Sequence, residues 1–307
     1  AEECKVIREG VGLLDITGFS RFEVAGPNAE QWLDKVFSTK LPKAGRARLA
    51  VMLSETGNLK GDLTLLNWGN GKYWIMGSYY LRAWHMRWFN THMMEGVAVR
   101  DLGEEICGFA VVGPKSHSVV QKVAEQDIST LSFMGCGKID IGLIGAHVAR
   151  MSVTGEMGFE INCRLGDHIA LRRILLEAGA DEGIREVGFN AMLSTRIEKS
   201  FGIWSAEFTQ DRTPGMTAMD RWIDWDKGDF IGREAAMSER DGNGPSKMQV
   251  TLEIEDGDGD ASGYEPIWSQ AGEMIGFVTS GAYGHTLQRS IAMGLICLLY
   301  TSPSPRD

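Results

Sequence analysis

The sequence predicts an α+β chain, in which a long region of interleaved strands and helices is followed by a small all-β domain. Three observations lead there. GPNAEQWL (26–33) and GPKSHSVV (113–120) each follow a strand-like run, turn on Gly-Pro and enter an amphipathic helical pattern. They read as two related βα units within one alternating α/β region. Near Trp225 the character changes, and KMQVTLEIED (247–256) and GEMIGFVTSGAYG (272–284) alternate with the period of strands. Finally, 307 residues with 43% hydrophobic side chains suffice for two or more cores.

In order along the chain, Phe19 and residues 22–24 predict a strand. Asn28 predicts an N-cap, and residues 29–37 a helix with apolar Trp32, Leu33, Val36 and Phe37. Residues 51–53 end one strand. Leu63, Leu65 and Leu66 belong to the next, and 54–61 are turn chemistry with Gly57 and Gly61. A strand at 72–77 precedes a helix at 81–94, where Trp84, Trp88 and Phe89 read as core. Strands at 99–102 and 107–112 lead to a helix at 116–124. Strands at 147–152 and 159–163 flank the loop TGEMG, and helices follow at 167–178 and 188–199. The acidic, glycine-rich EDGDGDASG (255–263) reads as a solvated turn. The tail LLYTSPSPRD has no periodic pattern and reads as non-native, leaving the β domain short of its last strands.

A net charge of −10 argues against a general nucleic-acid binder, which needs a basic footprint. No apolar run approaches the ~20 residues of a membrane span, and no signal segment opens the chain. The five cysteines are widely spaced without a CxxC pair, which predicts buried thiols in a reducing compartment, either cytoplasm or, in a eukaryote, the mitochondrial matrix. No two histidines stand at metal-ligand spacing, so no metal is expected. GxSxG, Walker and strand-borne GxGxxG patterns are absent. The remaining chemistry is a carboxylate assisting a reaction between two bound small molecules.

Four residues are candidates for that site. Asp62 stands at the first position of an apolar strand, sharing a face with Thr64, Leu66 and Trp68. It either caps the turn before it or manages a proton or a developing cation in a pocket. Glu160 alternates with Phe159 and Ile161, sharing a face with Asn162. It is either a solvent-facing strand carboxylate or an acceptor for the amino and ring N–H groups of a ligand. Arg196, which shares a helical face with Lys199 while Glu198 points elsewhere, either pairs with a nearby acid or contacts a ligand. Trp204, at a helix-to-loop boundary, is a core plug or a stacking wall.

GVGLLDITGFSRFEVAGPNAEQWLDKV, ETGNLKGDLTL, TGEMGFE, RIEKSFGIW, KGDFIGREA and GFVTSGAYGHTLQRSIAMG, in this order, resemble the aminomethyltransferase family of the glycine-cleavage T-protein. Within it, RxEKxxxxWxxE at 196–207, Thr213-Pro214 and KGDFIGREA at 227–235 are similar to the folate-binding C-terminal region of dimethylglycine and sarcosine dehydrogenases. The resemblance implies a three-domain cloverleaf, with two α/β folate-binding subdomains interleaved in 1–225. A C-terminal antiparallel β-barrel, here incomplete, would occupy 226–296, and a non-native tail 297–307. It also implies capture on tetrahydrofolate of the iminium or formaldehyde carbon from a demethylated N-methyl amine. FAD would be confined to a fused N-terminal oxidoreductase domain outside this chain. A stand-alone T-protein, a folate-dependent demethylase and a non-catalytic folate-binding module are the alternatives.

By the same resemblance, Asp62 corresponds to the family's catalytic Asp, Glu160 to the Glu that grips the pterin, and Arg196 to a folate-contacting Arg. Trp204 stands where T-proteins have Tyr. Gly61 replaces the first of two adjacent aspartates, leaving Asp62 alone. Asp229 occupies the place of the reactive Cys in an iron–sulfur-related cousin's KGCYxGQE, which argues against that role.

Overall fold

The structure, a computed structural model, describes residues 1–255 and 259–298. Its first elements are α1 (Glu2–Glu9), β1 (Gly12–Asp15), β2 (Phe19–Ala25), α2 (Ala29–Val36), β3 (Arg46–Leu53), β4 (Leu59–Gly69) and β5 (Lys72–Ser78). Next come α3 (Arg82–Thr91), β6 (Ala98–Asp101), β7 (Ile106–Val112), α4 (Ser116–Val123), β8 (Cys136–Ile141), β9 (Ile144–Ala149) and β10 (Gly158–Arg164). The chain continues through α5 (His168–Ala178), β11 (Arg185–Glu186), α6 (Phe189–Ile197) and α7 (Arg233–Asp241). It closes with β12 (Lys247–Ile254), β13 (Pro266–Trp268), β14 (Met274–Gly284) and β15 (Arg289–Cys297).

These strands form three sheets, ordered β11-β1-β7-β10-β9-β8, β3-β4-β5-β2-β6 and β12-β15-β14-β13. The class is α+β, as expected. The two Gly-Pro units do not share one alternating region. The unit β2–α2 starts from the five-stranded sheet and β7–α4 from the six-stranded one, and β2 and β7 both pair antiparallel with their neighbours. The likeness is local and lies in the turn. Gly26 and Gly113 have φ of 125° and 121°, and a Cβ there would lie 2.2 Å from Gly96 O and 2.5 Å from Gly10 O. Asn28 stands at the N-cap position predicted for it, immediately before α2, where its carbonyl accepts from Trp32 N at 3.0 Å and its side-chain amide nitrogen donates to Glu95 O at 2.9 Å.

Two compact units result. The first comprises 1–34, 41–49 and 63–195, and the second 35–40, 50–62 and 196–307. In the first, one face of β10 contributes Phe159, Ile161 and Cys163 to an apolar core with Val111, Ile141, Val148 and the inner faces of α4 and α5. That alternation matches the sequence pattern, although β8 and its hairpin with β9 were not foreseen. In the second unit the four-stranded sheet is antiparallel throughout, and no closed barrel exists among the described residues. The helix α7, also unforeseen, begins at Gly232 (φ 83°), where a Cβ would lie 2.2 Å from Ser54 O. Cys297, placed in the tail by the sequence reading, ends β15. Residues 299–307 and the acidic 256–258 lie outside the described residues. No described helix is long and apolar enough to cross a membrane.

Candidate functional site residues

Asp62 lies inside β4, whose first residue is Leu59, rather than at the strand's start. The hairpin turn is closed by Ser54 instead. Asn58 N donates to Ser54 Oγ at 3.1 Å, Ser54 N to Asn58 O at 2.8 Å, and Gly57 N to Ser54 O at 2.9 Å. Among the described residues no amide of the turn donates to the Asp62 carboxylate, so the geometry gives the turn-cap reading no support. The strand alternates as expected, with Leu63 and Leu65 fully buried and Asp62 and Thr64 half-buried. Although part of Asp62 remains accessible, the dense protein around it lifts its pKa to about 7. A carboxyl so poised can take and return a proton near neutrality.

Glu160 is not solvent-facing, because β10 runs between β7 and β9 and is buried on both faces through Cys163. The register places Ala110 and Ala149 directly opposite Glu160 on the two neighbouring strands, so methyl groups flank the carboxylate. Glu160 is 8% exposed and makes no hydrogen bond or ion pair among the described residues. Burial raises its pKa to about 7, and the guanidinium of Arg21 pulls the other way. A carboxylate that is 8% exposed and has no protein donor suits a ligand that brings N–H groups.

Arg21, on β2, is fully buried. Its Nη1 and Nη2 donate to Phe19 O (2.8 Å) and Ile16 O (2.9 Å), and its Nε to Asn162 Oδ1 (2.7 Å). Asn162, on the same face of β10 as Glu160, donates in turn to His147 O at 3.4 Å. Nothing in the strand FSRFEVA marked Arg21 as an inward residue.

Arg196 closes α6, and Lys199, predicted on the same helical face, lies beyond the helix end at Ile197. The Arg196 side chain is buried. Nη1 donates to Glu207 Oε2 (2.8 Å) and Phe201 O (2.9 Å) and lies 3.3 Å from Met293 Sδ. Of the two sequence readings, pairing with an acid is what the geometry displays. Nε nevertheless keeps no partner. Trp204 is buried at 8% exposure and bridges by backbone to Phe208. Glu207 is the acid that sequence reasoning left without a role, although it ends the quoted RxEKxxxxWxxE segment. It also accepts from Ile203 N (3.1 Å), Thr279 Oγ1 (2.7 Å) and Ser280 Oγ.

The KGDFIGREA segment is packing rather than chemistry. Lys227 Nζ donates to Phe37 O at 2.8 Å, Phe230 is buried and Asp229 is exposed. Among the described residues no three His, Cys, Asp or Glu side chains converge on a metal site.

Residues 1–227 match the family model described as GCVT N-terminal domain, and 247–303 match the glycine cleavage T-protein C-terminal barrel domain. The chain belongs to the glycine-cleavage T-protein family. The aminomethyltransferase of Geobacillus sp. (strain WCH70) is 30% identical over 304 residues, covering 98% of this chain and 83% of that one. Mitochondrial dimethylglycine dehydrogenase of Homo sapiens is 28% identical over 300 residues, or 96% of this chain. The chain spans only about a third of that relative's length, at 34%. The fold agrees with a solved aminomethyltransferase T of the glycine cleavage system from Bartonella henselae. The TM-score is 0.89 at 24% identity, covering 98% of this chain and 82% of that one. Family membership thus bears out the resemblance drawn from the six sequence segments.

Proposed function

We propose that this chain performs tetrahydrofolate-dependent one-carbon transfer as the folate half of a dimethylglycine- or sarcosine-dehydrogenase-like enzyme. It would capture the iminium or formaldehyde carbon of a demethylated N-methyl amine and yield methylene-tetrahydrofolate. The observation that carries the reading is Glu160, a buried carboxylate that accepts no hydrogen bond among the described residues. The amino and ring N–H groups of a pterin match an acceptor-only carboxylate, so the residues present fit the ligand. Tetrahydrofolate, when bound, supplies the nucleophilic nitrogens that take up the one-carbon unit.

Glu160 orients the ligand by accepting its N–H groups. Asp62 accepts the proton released as the new bond forms or stabilises the cation that precedes it, a contribution of typically ~10²–10⁴-fold for a positioned acid–base group. Arg196, in the last turn of α6 with its unpartnered Nε, and Trp204, in the loop after it, would contact the ligand. None of the three sheets is a parallel nucleotide-binding sheet, so no residue described here is assigned to FAD. In this reading FAD belongs to an oxidoreductase domain fused to this region, and within the chain the folate-binding region 1–225 gives way to the C-terminal β domain 226–296. The RxEKxxxxWxxE and KGDFIGREA segments and the dehydrogenase relative support that arrangement. A second reading, a stand-alone aminomethyltransferase, is supported by the Geobacillus relative, 83% of whose length is covered.

The test is to titrate the chain with tetrahydrofolate and follow methylene-tetrahydrofolate formation from formaldehyde above the uncatalysed rate. Asp62→Asn should keep the affinity and lose the rate, whereas Glu160→Gln should weaken the affinity. Binding with no acceleration by the unsubstituted chain would leave a folate-binding module, and unchanged transfer in Asp62→Asn would overturn the catalytic assignment.

A further inference from the structure

Beyond the residues assigned above, Arg21 is a fully buried cation without a role. Arg21 lies at 0% exposure among backbone carbonyls and Asn162, on a strand whose other side chains are ordinary sheet residues. Burying a guanidinium is costly unless it is well bonded and a counter-charge is near. The bonds are present, but every direct partner of Arg21 is neutral.

The nearby charged or titratable groups can be taken in turn. Asp15, on β1, is engaged elsewhere, accepting from Thr17 N at 2.8 Å and lying 3.4 Å from His168 Nε2. Cys107 and Cys163 face each other across β7 and β10 with sulfurs 3.9 Å apart, and burial raises both thiols' pKa values, which keeps them neutral. Glu160 remains. It projects from the same face of β10 as Asn162, the residue Arg21 grips, and no other charged group acts on it.

We propose that Arg21 is a positioning residue for Glu160, supplying through the Asn162 bridge the fixed counter-charge that lets this otherwise unpartnered carboxylate ionise when a ligand brings N–H donors. The proposal deepens the folate reading and rests on it only for the ligand's identity. The arrangement divides the work. Ile16 O, Phe19 O and Asn162 Oδ1 hold the guanidinium still, so it does not collapse onto Glu160, and the carboxylate keeps its lone pairs for the ligand. A direct Arg21–Glu160 salt bridge would instead consume them. The flanking Ala110 and Ala149 leave the carboxylate room on both sides.

Two readouts test this, one of them free of any ligand. In the ligand-free chain the protonated-carboxyl infrared band that Glu160→Gln removes gives Glu160's titration midpoint. Arg21→Gln should move that midpoint upward by about one unit, the low end of the effect of an opposite charge nearby. Arg21→Lys, which keeps the charge, should leave it within about half a unit. The second readout is the affinity for 5-formyltetrahydrofolate at pH 6, well below the midpoint, which Arg21→Gln should weaken about tenfold, the equivalent of one unit. In a Glu160→Gln background the same substitution should change affinity less than about twofold, since coupled sites lose their joint effect.

An unmoved midpoint in Arg21→Gln, or an equal affinity loss in both backgrounds, overturns the proposal. If Arg21→Gln does not fold, Arg21→Lys decides alone, and a full-unit shift there overturns it. A shifted midpoint in a chain that binds no folate would uphold the Arg21–Glu160 coupling while sinking the folate reading.

Discussion

Arg196 Nη1 meets Glu207 Oε2 at 2.8 Å, with the two side chains only 2% and 0% exposed. Removing one partner of such a pair leaves an uncompensated buried charge, typically costing about 3–5 kcal/mol. Glu207→Ala should therefore destabilise the chain by about that amount in urea unfolding, the more so because Ile203 N, Thr279 and Ser280 lose their acceptor as well. Adding Arg196→Met should recover part of the loss, because the orphaned cation is gone. If the double variant is no more stable than the single one, the pair does not act as an ion pair.

Asp62 and Glu160 both have pKa values raised by burial to about 7. Each folded carboxyl binds its proton more tightly than the unfolded one. Their stabilising contribution is therefore complete below about pH 4 and is lost as pH rises through about 7. The unliganded protein should lose stability across that window. Glu160→Gln should match the parent near pH 4 and exceed it by about 3 kcal/mol at pH 8. Denaturant unfolding at the two pH values measures this, and a difference that does not change with pH would mean Glu160 titrates normally.

Gly26→Ala should cost about 3 kcal/mol, combining a φ of 125° with a Cβ placed 2.2 Å from Gly96 O. Gly71 is the control. Its φ of 69° is left-handed but nothing lies within 4 Å, so Gly71→Ala should cost about 1 kcal/mol. Equal losses in thermal unfolding would show that the close approach at the Gly-Pro turn is not what demands glycine.

How much of this was legible in the sequence follows from where each signal resides. Strand alternation is local, so the faces of β4 and β10 were readable, and with them the oddity of Asp62 and Glu160. Whether a face is covered depends on partners far away in sequence. Glu160 could be read as solvent-facing until β7 and β9 were seen flanking β10. Arg21 carried no signal, because what buries it is Asn162, 141 residues away. Glu207 was visible as the end of a recurring segment, but its partners Thr279 and Ser280 lie 72 and 73 residues on. The Gly-Pro turns were legible as local units, whereas their division between two sheets is a matter of long-range pairing.

The thiols offer a last check on burial. Cys4, Cys107, Cys136 and Cys163 are buried, and only Cys297 is half-buried. Burial pushes Cys136 and Cys163 up to about 12 and raises Cys107 as well, so the reactive thiolate is scarce at these sites as well as shielded. Titrating the native chain with a thiol-specific chromogenic disulfide at pH 8 should modify Cys297 quickly and the other four only as fast as the protein opens. In denaturant all five should react at once. The Cys107 and Cys163 thiols lie 3.9 Å apart, but both are buried and held protonated, so a mass loss of about two hydrogens after mild oxidation of the native chain is not expected. Rapid native modification of a second cysteine, traced by peptide mapping to β7 or β10, would mean that the core behind Glu160 opens far more readily than its packing implies.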